Sequence, residues 1–282
     1  MIENFTVKDP HFSDIHTTDC HLIIEWYGDA FLVLVYDTLS KTIIAVEYKY
    51  SKTFQSEILD LKSTYKSISL SLPATNPLLI PNAFFEKEKL TDIQSVTNSN
   101  FKPETHRIFT QKIDLLNTFF SFSESTETLD LLTKKLPFQN LKITHSAQAF
   151  LVSAYQFLHQ QSEEKKISFV SIKGNRAYVA VIGLEKLYYF QFFDFRHFDD
   201  LLYFLVAVYD KLGLDYQNHP LLFNGTLDTA SRQEFELKLK SFFTKVDSFV
   251  FIPNHISLSP TLKTVNKSLI TDLINAILLC ES

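Results

Sequence analysis

The segment LLFNGTLDTASRQEF, Leu221 to Phe235, places an apolar run before Asn224-Gly225 and a helix-like stretch directly after it. Strand, glycine turn and helix together can cradle a phosphate. A helix start offers free N–H groups, and glycine lets the backbone come close to an anion. Asn224, Gly225, Thr226 and Asp228 are the candidate residues here, with Asp228 also suited to be an N-cap that needs no ligand. Two further turns have related chemistry. Gly28-Asp29 separates two β-rich runs, and Lys173-Gly174-Asn175 separates two more, with Arg176 beside it. Lys173 and Arg176 could bind an anion, although basic residues next to a turn are expected to be exposed and solvated.

Other constellations are thin. His11, His16 and His21 are five apart, a spacing that puts them on neither one helix face nor one strand face. His145 lies between a strand and a helix, where its ring could cap or pack. There is no HExxH and no G-x-S-x-G, so neither a zinc protease nor a nucleophile-elbow hydrolase is indicated, and no metal site is expected. Cys20 and Cys280, near opposite ends, form neither a disulfide framework nor a CxxC pair.

The elements that must position these turns repeat along the chain. Cys20 to Tyr50 holds three runs rich in Ile, Val, Leu and Tyr, broken at Gly28-Asp29 and at Thr38 to Lys41. That pattern predicts an antiparallel meander. A helix is expected over TFQSEILDLKSTY, where Phe54, Ile58, Leu61 and Tyr65 share one face. Lys166 to Phe195 repeats the meander, broken at Gly174-Asn175 and Gly183 to Lys186, and HFDDLLYFLVAVYDKLG repeats the helix, closed by Gly213. A strand over Leu221 to Phe223 precedes a helix with a Ser231/Glu234 capping box and a face of Phe235, Leu239, Phe242, Phe243 and Val246. A strand over Ser248 to Ile252 and a helix opening at Ser259-Pro260 complete the pattern, the last face running Leu262, Val265, Leu269, Leu273, Ile277. NLKITH and SAQAFLVSAYQFLHQQ give the first half its own final strand and helix.

Each half therefore reads strand-strand-strand-helix-strand-helix-strand-helix. This predicts an α/β (α+β, mixed-sheet) fold of two tandem ribonuclease-H-like domains in the actin-like ATPase arrangement; two unrelated α+β domains are the alternative. The expected division is 1–162 and 163–258. The C-terminal helix, 259–282, would complete the first domain. The polar run Gln160 to Lys166 marks the boundary, and extra material over about 73–136 reads as an inserted subdomain with a strand ending at Pro81 and one or two more over His106 to Phe122.

Composition narrows the function classes. The 282 residues are 45% hydrophobic and 21% charged with only 5 Gly, which leaves no room for long flexible linkers. A net charge of -5 gives no electrostatic reason to expect nucleic acid or an anionic membrane. No basic segment precedes an apolar run at the N-terminus, and LLYFLVAVY is too short to span a bilayer, so a soluble cytoplasmic protein is expected, without membrane insertion. The 27 Phe need a large core or a partner surface. LYYFQFFDF, Leu187 to Phe195, is apolar on both strand faces; it is expected to be buried between layers, and the alternative is an edge that takes a partner segment.

The ordered set NPLLIPNAFFEKEKL, PFQNLKITHSAQAFL, KISFVSIKGNRAYVAVI, LLFNGTLD and LLCES resembles the domain-of-unknown-function 3822 family of Bacteroidota, itself similar to the actin-like ATPases and nearest to PilM and FtsA. The resemblance implies two ribonuclease-H-like domains flanking a nucleotide cleft. It also implies an Asp-x-Gly-like turn after the first strand of each half, acids that handle magnesium, and a paired-glycine turn for the nucleoside. Here Trp26 and Ile172 stand at the acidic positions; a shifted register brings in Glu25 but puts Tyr27 where glycine belongs. Asn224-Gly225 replaces the glycine pair. Phosphoryl transfer depends on placement and charge neutralisation, so these losses matter individually. The expectation is a degenerate, non-catalytic scaffold or adaptor that binds a protein partner or itself. Gly28, Asp29, Lys173, Gly174, Asn224, Gly225, Thr226 and Asp228 would be its vestigial cleft. No cofactor is required, with weak ATP/magnesium binding left open. The alternatives are a nucleotide-binding ATPase with divergent motifs and a small-molecule sensor that uses the cleft without catalysis.

Overall fold

The structure is a computed structural model and describes residues 2–15, 17–27, 29–50, 64–73, 77–133, 136, 141–161 and 166–281. The chain divides into two units. The first comprises Asn4–Ala149, His255–Leu262 and Ala276–Ser282; the second comprises Met1–Glu3, Phe150–Asn254 and Lys263–Asn275. The expected helix over Phe54 to Tyr65 falls almost wholly outside the described residues, as does most of the expected boundary at Gln160 to Lys166.

In the first unit, β-branched and aromatic residues build strands Phe5–Lys8 (β1), Cys20–Trp26 (β2), Ala30–Asp37 (β3) and Thr42–Tyr50 (β4). The last three form the expected meander. Ser67–Leu72 (β5) runs parallel to β2. The insertion follows, with Leu78–Pro81 (β6), a helix at Leu90–Thr97 (α1), His106–Ile113 (β7) and Thr118–Ser125 (β8). Its three strands form a separate antiparallel sheet, ordered β6-β8-β7. Thr126–Thr133 (α2) packs Leu129 and Leu132 into the same core as Ile24, Val33 and Leu70. Leu141–His145 (β9) then pairs parallel to β5, and Ser146–Gln161 (α3) follows.

The second unit repeats the plan. Lys166–Lys173 (β10), Arg176–Gly183 (β11) and Leu187–Asp194 (β12) form a meander, followed by a helix at Phe198–Leu212 (α4). Leu221–Gly225 (β13), Thr229–Lys240 (α5) and Val246–Ser248 (β14) continue it; Ser257–Leu258 (β15) belongs to the first unit, where it pairs with β4, and Lys267–Glu281 (α6) ends the chain. The second sheet runs β12-β11-β10-β13-β14, and the five matching strands of the first run β4-β3-β2-β5-β9. Both are the third-second-first-fourth-fifth order of a ribonuclease-H-like sheet. The duplication extends to a defect: the ladder slips between Val35 and Tyr36 in β3 and between Val181 and Ile182 in β11, leaving Ile44 and Tyr188 as the extra residues of the third strands. Bulges of this kind bend and twist a strand locally.

Four sequence expectations need correction. The cap of α5 is Asp228, whose Oδ1 accepts the Ser231 N–H at 2.7 Å, so the helix begins before the Ser231/Glu234 box. Asp228→Ala is expected to destabilise the second unit by about 1 kcal/mol, seen as a lower urea midpoint at unchanged slope. The same helix stops at Lys240; Phe242, past its end, is 52% exposed, while Val246 belongs to β14, two residues ahead of the strand expected from Ser248. The last helix opens as a 3₁₀ turn at Pro260–Thr264, and α6 proper begins at Lys267, although Leu262, Val265, Leu269, Leu273 and Ile277 are all buried. Finally, β12 lies at the edge of its sheet instead of between layers, and each of its residues is partly or fully exposed. Gly213 does close α4, in the left-handed region at φ 60.

Candidate functional site

The strand ends that carry the candidate turn of the second unit are β10 and β13, neighbours in parallel register with Ser171 beside Asn224 and Ile172 beside Gly225. Gly225 has φ +135, and a Cβ there would stand 2.1 Å from the Ile172 carbonyl oxygen. The Thr226 N–H donates to that carbonyl at 2.8 Å, and the Gly174 N–H donates to Thr226 Oγ1 at 2.9 Å. Asn224-Gly225-Thr226 therefore binds the tip of β13 to the β10–β11 hairpin. The glycine serves close contact between two strands of the same sheet.

The polar side chains of these strand ends converge on a residue absent from the sequence candidates, Asp272 of α6. Lys173 Nζ lies 3.0 Å from its Oδ2, with side-chain exposures of 1% and 2%. Ser171 Oγ donates to the same oxygen at 2.5 Å, and Asn224 Nδ2 donates to Oδ1 at 2.8 Å. Lys173 is thus buried and ion-paired, contrary to the exposed, solvated residue expected. Arg176 is paired too, through Nε and a terminal nitrogen, to Asp194 at 2.6 and 3.0 Å. Neighbouring residues of α6 extend the polar seam: Arg232 donates to Ser268 Oγ at 2.6 Å, and Asn275 donates to the Phe251 carbonyl at 3.2 Å. The signal was available in the sequence, because Ser268, Thr271/Asp272 and Asn275 recur at helical spacing inside an otherwise apolar helix. What they would face was not available.

In the first unit, Gly28 lies outside the described residues and Asp29 is exposed. Asp29 hydrogen-bonds the Tyr50 hydroxyl and thereby raises the phenol's pKa. Glu25, the acid that a shifted register would offer, is buried and accepts the Tyr27 hydroxyl at 2.7 Å. His145 both caps and packs: its Nδ1 accepts the Ala147 N–H at 3.0 Å, and its ring sits 5.1 Å from that of Phe120. Cys20 is buried; desolvation, then Asp37 and Asp19, push its thiol up to about 12, which keeps it protonated and inert. Among the described residues no group of three His, Cys, Asp or Glu could hold a metal ion, and no helix is long and apolar enough to cross a membrane.

Two sheets of one topology, a shared bulge and a glycine turn at the β10–β13 ends define the class: this is an actin-like ATPase fold. The family described as "Protein of unknown function (DUF3822)" matches residues 9–246, and the chain belongs to it. Among solved structures, a Bacteroides thetaiotaomicron VPI-5482 protein with actin-like ATPase fold and unknown function is similar, with a TM-score of 0.68 and 16% identity over 83% of this chain and 91% of that one. The PilM–PilN type IV pilus biogenesis complex also matches, with a TM-score of 0.53 and 10% identity over 93% of this chain and 97% of that one. No curated protein matches the sequence.

Proposed function

We propose that this chain is a non-catalytic scaffold or adaptor of actin-like fold that binds a protein partner. One observation carries the reading: the cation of the candidate phosphate turn is neutralised by the chain's own carboxylate. A phosphate approaching β10 and β13 would have to displace Asp272 from Lys173, Ser171 and Asn224, each already hydrogen-bonded or ion-paired to it. It would also meet the repulsion of that buried anion. Catalysis of phosphoryl transfer needs donors and metal aimed at the developing charge, whereas these donors are committed to a structural seam. The likeness to a PilM that is seen with PilN supports the choice of a protein as the ligand.

A melting scan with and without millimolar magnesium-ATP tests this. A ligand at 100 times its dissociation constant stabilises by about 2.7 kcal/mol, which is a shift of several degrees. The expected result is no shift. A shift of several degrees that requires magnesium would replace the adaptor with a nucleotide-binding protein of divergent motifs.

A further inference from the structure

One partly buried cation of the second unit has no counter-charge. Lys173, Arg176, Lys238 and Lys240 are each paired with a carboxylate of the chain, respectively Asp272, Asp194, Asp199 and Glu236. Arg232, near the start of α5, forms no ion pair among the described residues. Glu236, one turn further along the helix, is held 2.5 Å from Lys240 instead. The Arg232 side chain is partly buried, with its guanidinium carbon 5.3 Å over the Phe223 ring, and its Nε is buried without an acceptor. Burial lowers its pKa, and Glu236 opposes that shift. A desolvated charge is normally paired or neutralised.

The hydrogen bonds around Arg232 leave a surplus of donors. One terminal nitrogen donates to Ser248 Oγ, at the end of β14, at 3.2 Å. The other donates to Ser268 Oγ, in the first turn of α6, at 2.6 Å. Both hydroxyls therefore act as acceptors, and each keeps its own proton to give. Each terminal nitrogen likewise keeps a second N–H. Among the described residues none of these remaining protons has an acceptor. The elements that supply them end together: the carboxyl end of β14, which runs parallel to β13, and the first turns of α5 and α6. Strand carboxyl ends beside helix N-termini favour negative charge. Ser268 is buried and Ser248 is exposed, so the cluster reaches from the interior to the surface. Lys267, beside Ser268, is exposed and adds positive charge at the same helix start. The neighbouring acid, Asp247, makes no ion pair with Arg232; its Oδ1 accepts the Ser248 N–H at 2.6 Å.

We propose that Arg232, Ser248 and Ser268 form a binding site for a phosphate group, whose oxygens accept from the guanidinium and from both hydroxyls. A phosphate entering here supplies the missing charge and the missing acceptors in one step, and it displaces no carboxylate. That is the reverse of the β10–β13 turn, where Asp272 already occupies Lys173. Phosphate suits the donors better than a carboxylate does. They come from three elements, and a tetrahedral phosphate ester has three strong acceptor oxygens where a carboxylate has two in a plane. Arginine also holds phosphate through two parallel bonds. The inference goes beyond the adaptor reading and does not depend on it.

Titration of the full chain with inorganic phosphate, followed by NMR at the backbone amides and the arginine Nε–H groups, tests it. Saturable shifts are expected at Arg232, Ser248 and Ser268 without magnesium, and sodium acetate or sodium chloride at matched ionic strength should not reproduce them. Ser248→Ala lies at an exposed position, so it should fold as the wild type does while weakening phosphate about tenfold. Arg232→Lys keeps the charge and loses the planar fork, and should weaken it by at least as much. O-phosphoserine separates the sources of the group: affinity equal to that of phosphate means that an ester is seated, and affinity for the free ion alone makes inorganic phosphate the ligand. Shifts that acetate or chloride reproduces, shifts that survive both variants, or no saturable shift at these three residues up to tens of millimolar would each overturn the proposal. Ser248→Ala also keeps the two readings apart. A magnesium-ATP melting shift that persists in this variant would count against the adaptor and not against the phosphate site.

Discussion

Asp272→Ala is expected to destabilise the second unit by about 3–5 kcal/mol, because it removes the carboxylate that lies 3.0 Å from the buried Lys173 ammonium. The hydroxyl of Ser171 and the amide of Asn224 lose their acceptor in the same step. A chain of two units need not unfold in one step, so the readout should be local. Hydrogen exchange of the β10 and β13 amides is expected to accelerate by about 10²–10³-fold, with the β2 and β5 amides little changed. The reverse deletion separates charge from packing. Lys173→Met leaves Asp272 with two neutral donors and should be less damaging, while Lys173→Met with Asp272→Leu replaces the pair by apolar groups. A buried pair is worth little against such a replacement, although breaking it is expensive. The double variant should therefore be more stable than the two single effects predict, by about 0.5–3 kcal/mol of coupling. Simple additivity would mean that the pair does not act as a unit, and the argument that its charge is already satisfied would fail with it.

That cluster marks the limit of what the sequence discloses. Both meanders are legible because strand chemistry is local: alternating β-branched residues between Gly-Asp, Gly-Asn and Thr-to-Lys breaks allow little else. The repeat of helix and strand after each meander is legible for the same reason, and so is the left-handed closure of α4 at Gly213. Asp272 is a different kind of fact. It lies 101 residues from Ser171 and 48 from Asn224, and only the packing of α6 brings them together. Lys173 looks exposed in sequence because it adjoins a hairpin tip; its burial comes from an element nearly a hundred residues on. The misreading of β12 is similar. Apolar residues on both faces suit either a central strand or an edge with a ring-covered face, and strand order is not a local property. Gly225 lies between these cases, since the turn was visible but the neighbour that forbids a side chain there was not.

Gly225→Ala is the second large effect expected. Two penalties combine at this position. A φ of +135 is a conformation that residues with a Cβ rarely adopt, and the Cβ itself would meet Ile172 backbone oxygen at 2.1 Å and nitrogen at 2.6 Å. Backbone strain and overpacking each cost about 1–3 kcal/mol, so a total of about 2–6 kcal/mol is expected in the second unit. Relief by movement is also costly. The carbonyl that the methyl group strikes is the acceptor of the Thr226 N–H, and Thr226 Oγ1 in turn accepts from Gly174. Pushing β13 away would open the parallel pair Ile172–Gly225 and draw Asn224 from Asp272. Gly174→Ala is the control, with φ +62 and nothing within 4 Å of an added Cβ; only the left-handed backbone penalty of about 1–2 kcal/mol applies there. Urea denaturation of the two variants, followed by exchange at β13, should rank them clearly. If the glycine at 225 existed for an anion and not for Ile172, the alanine variant would fold as well as the Gly174 control. A cost well above the control ties this glycine to the fold itself, whether or not any ligand ever approaches the turn.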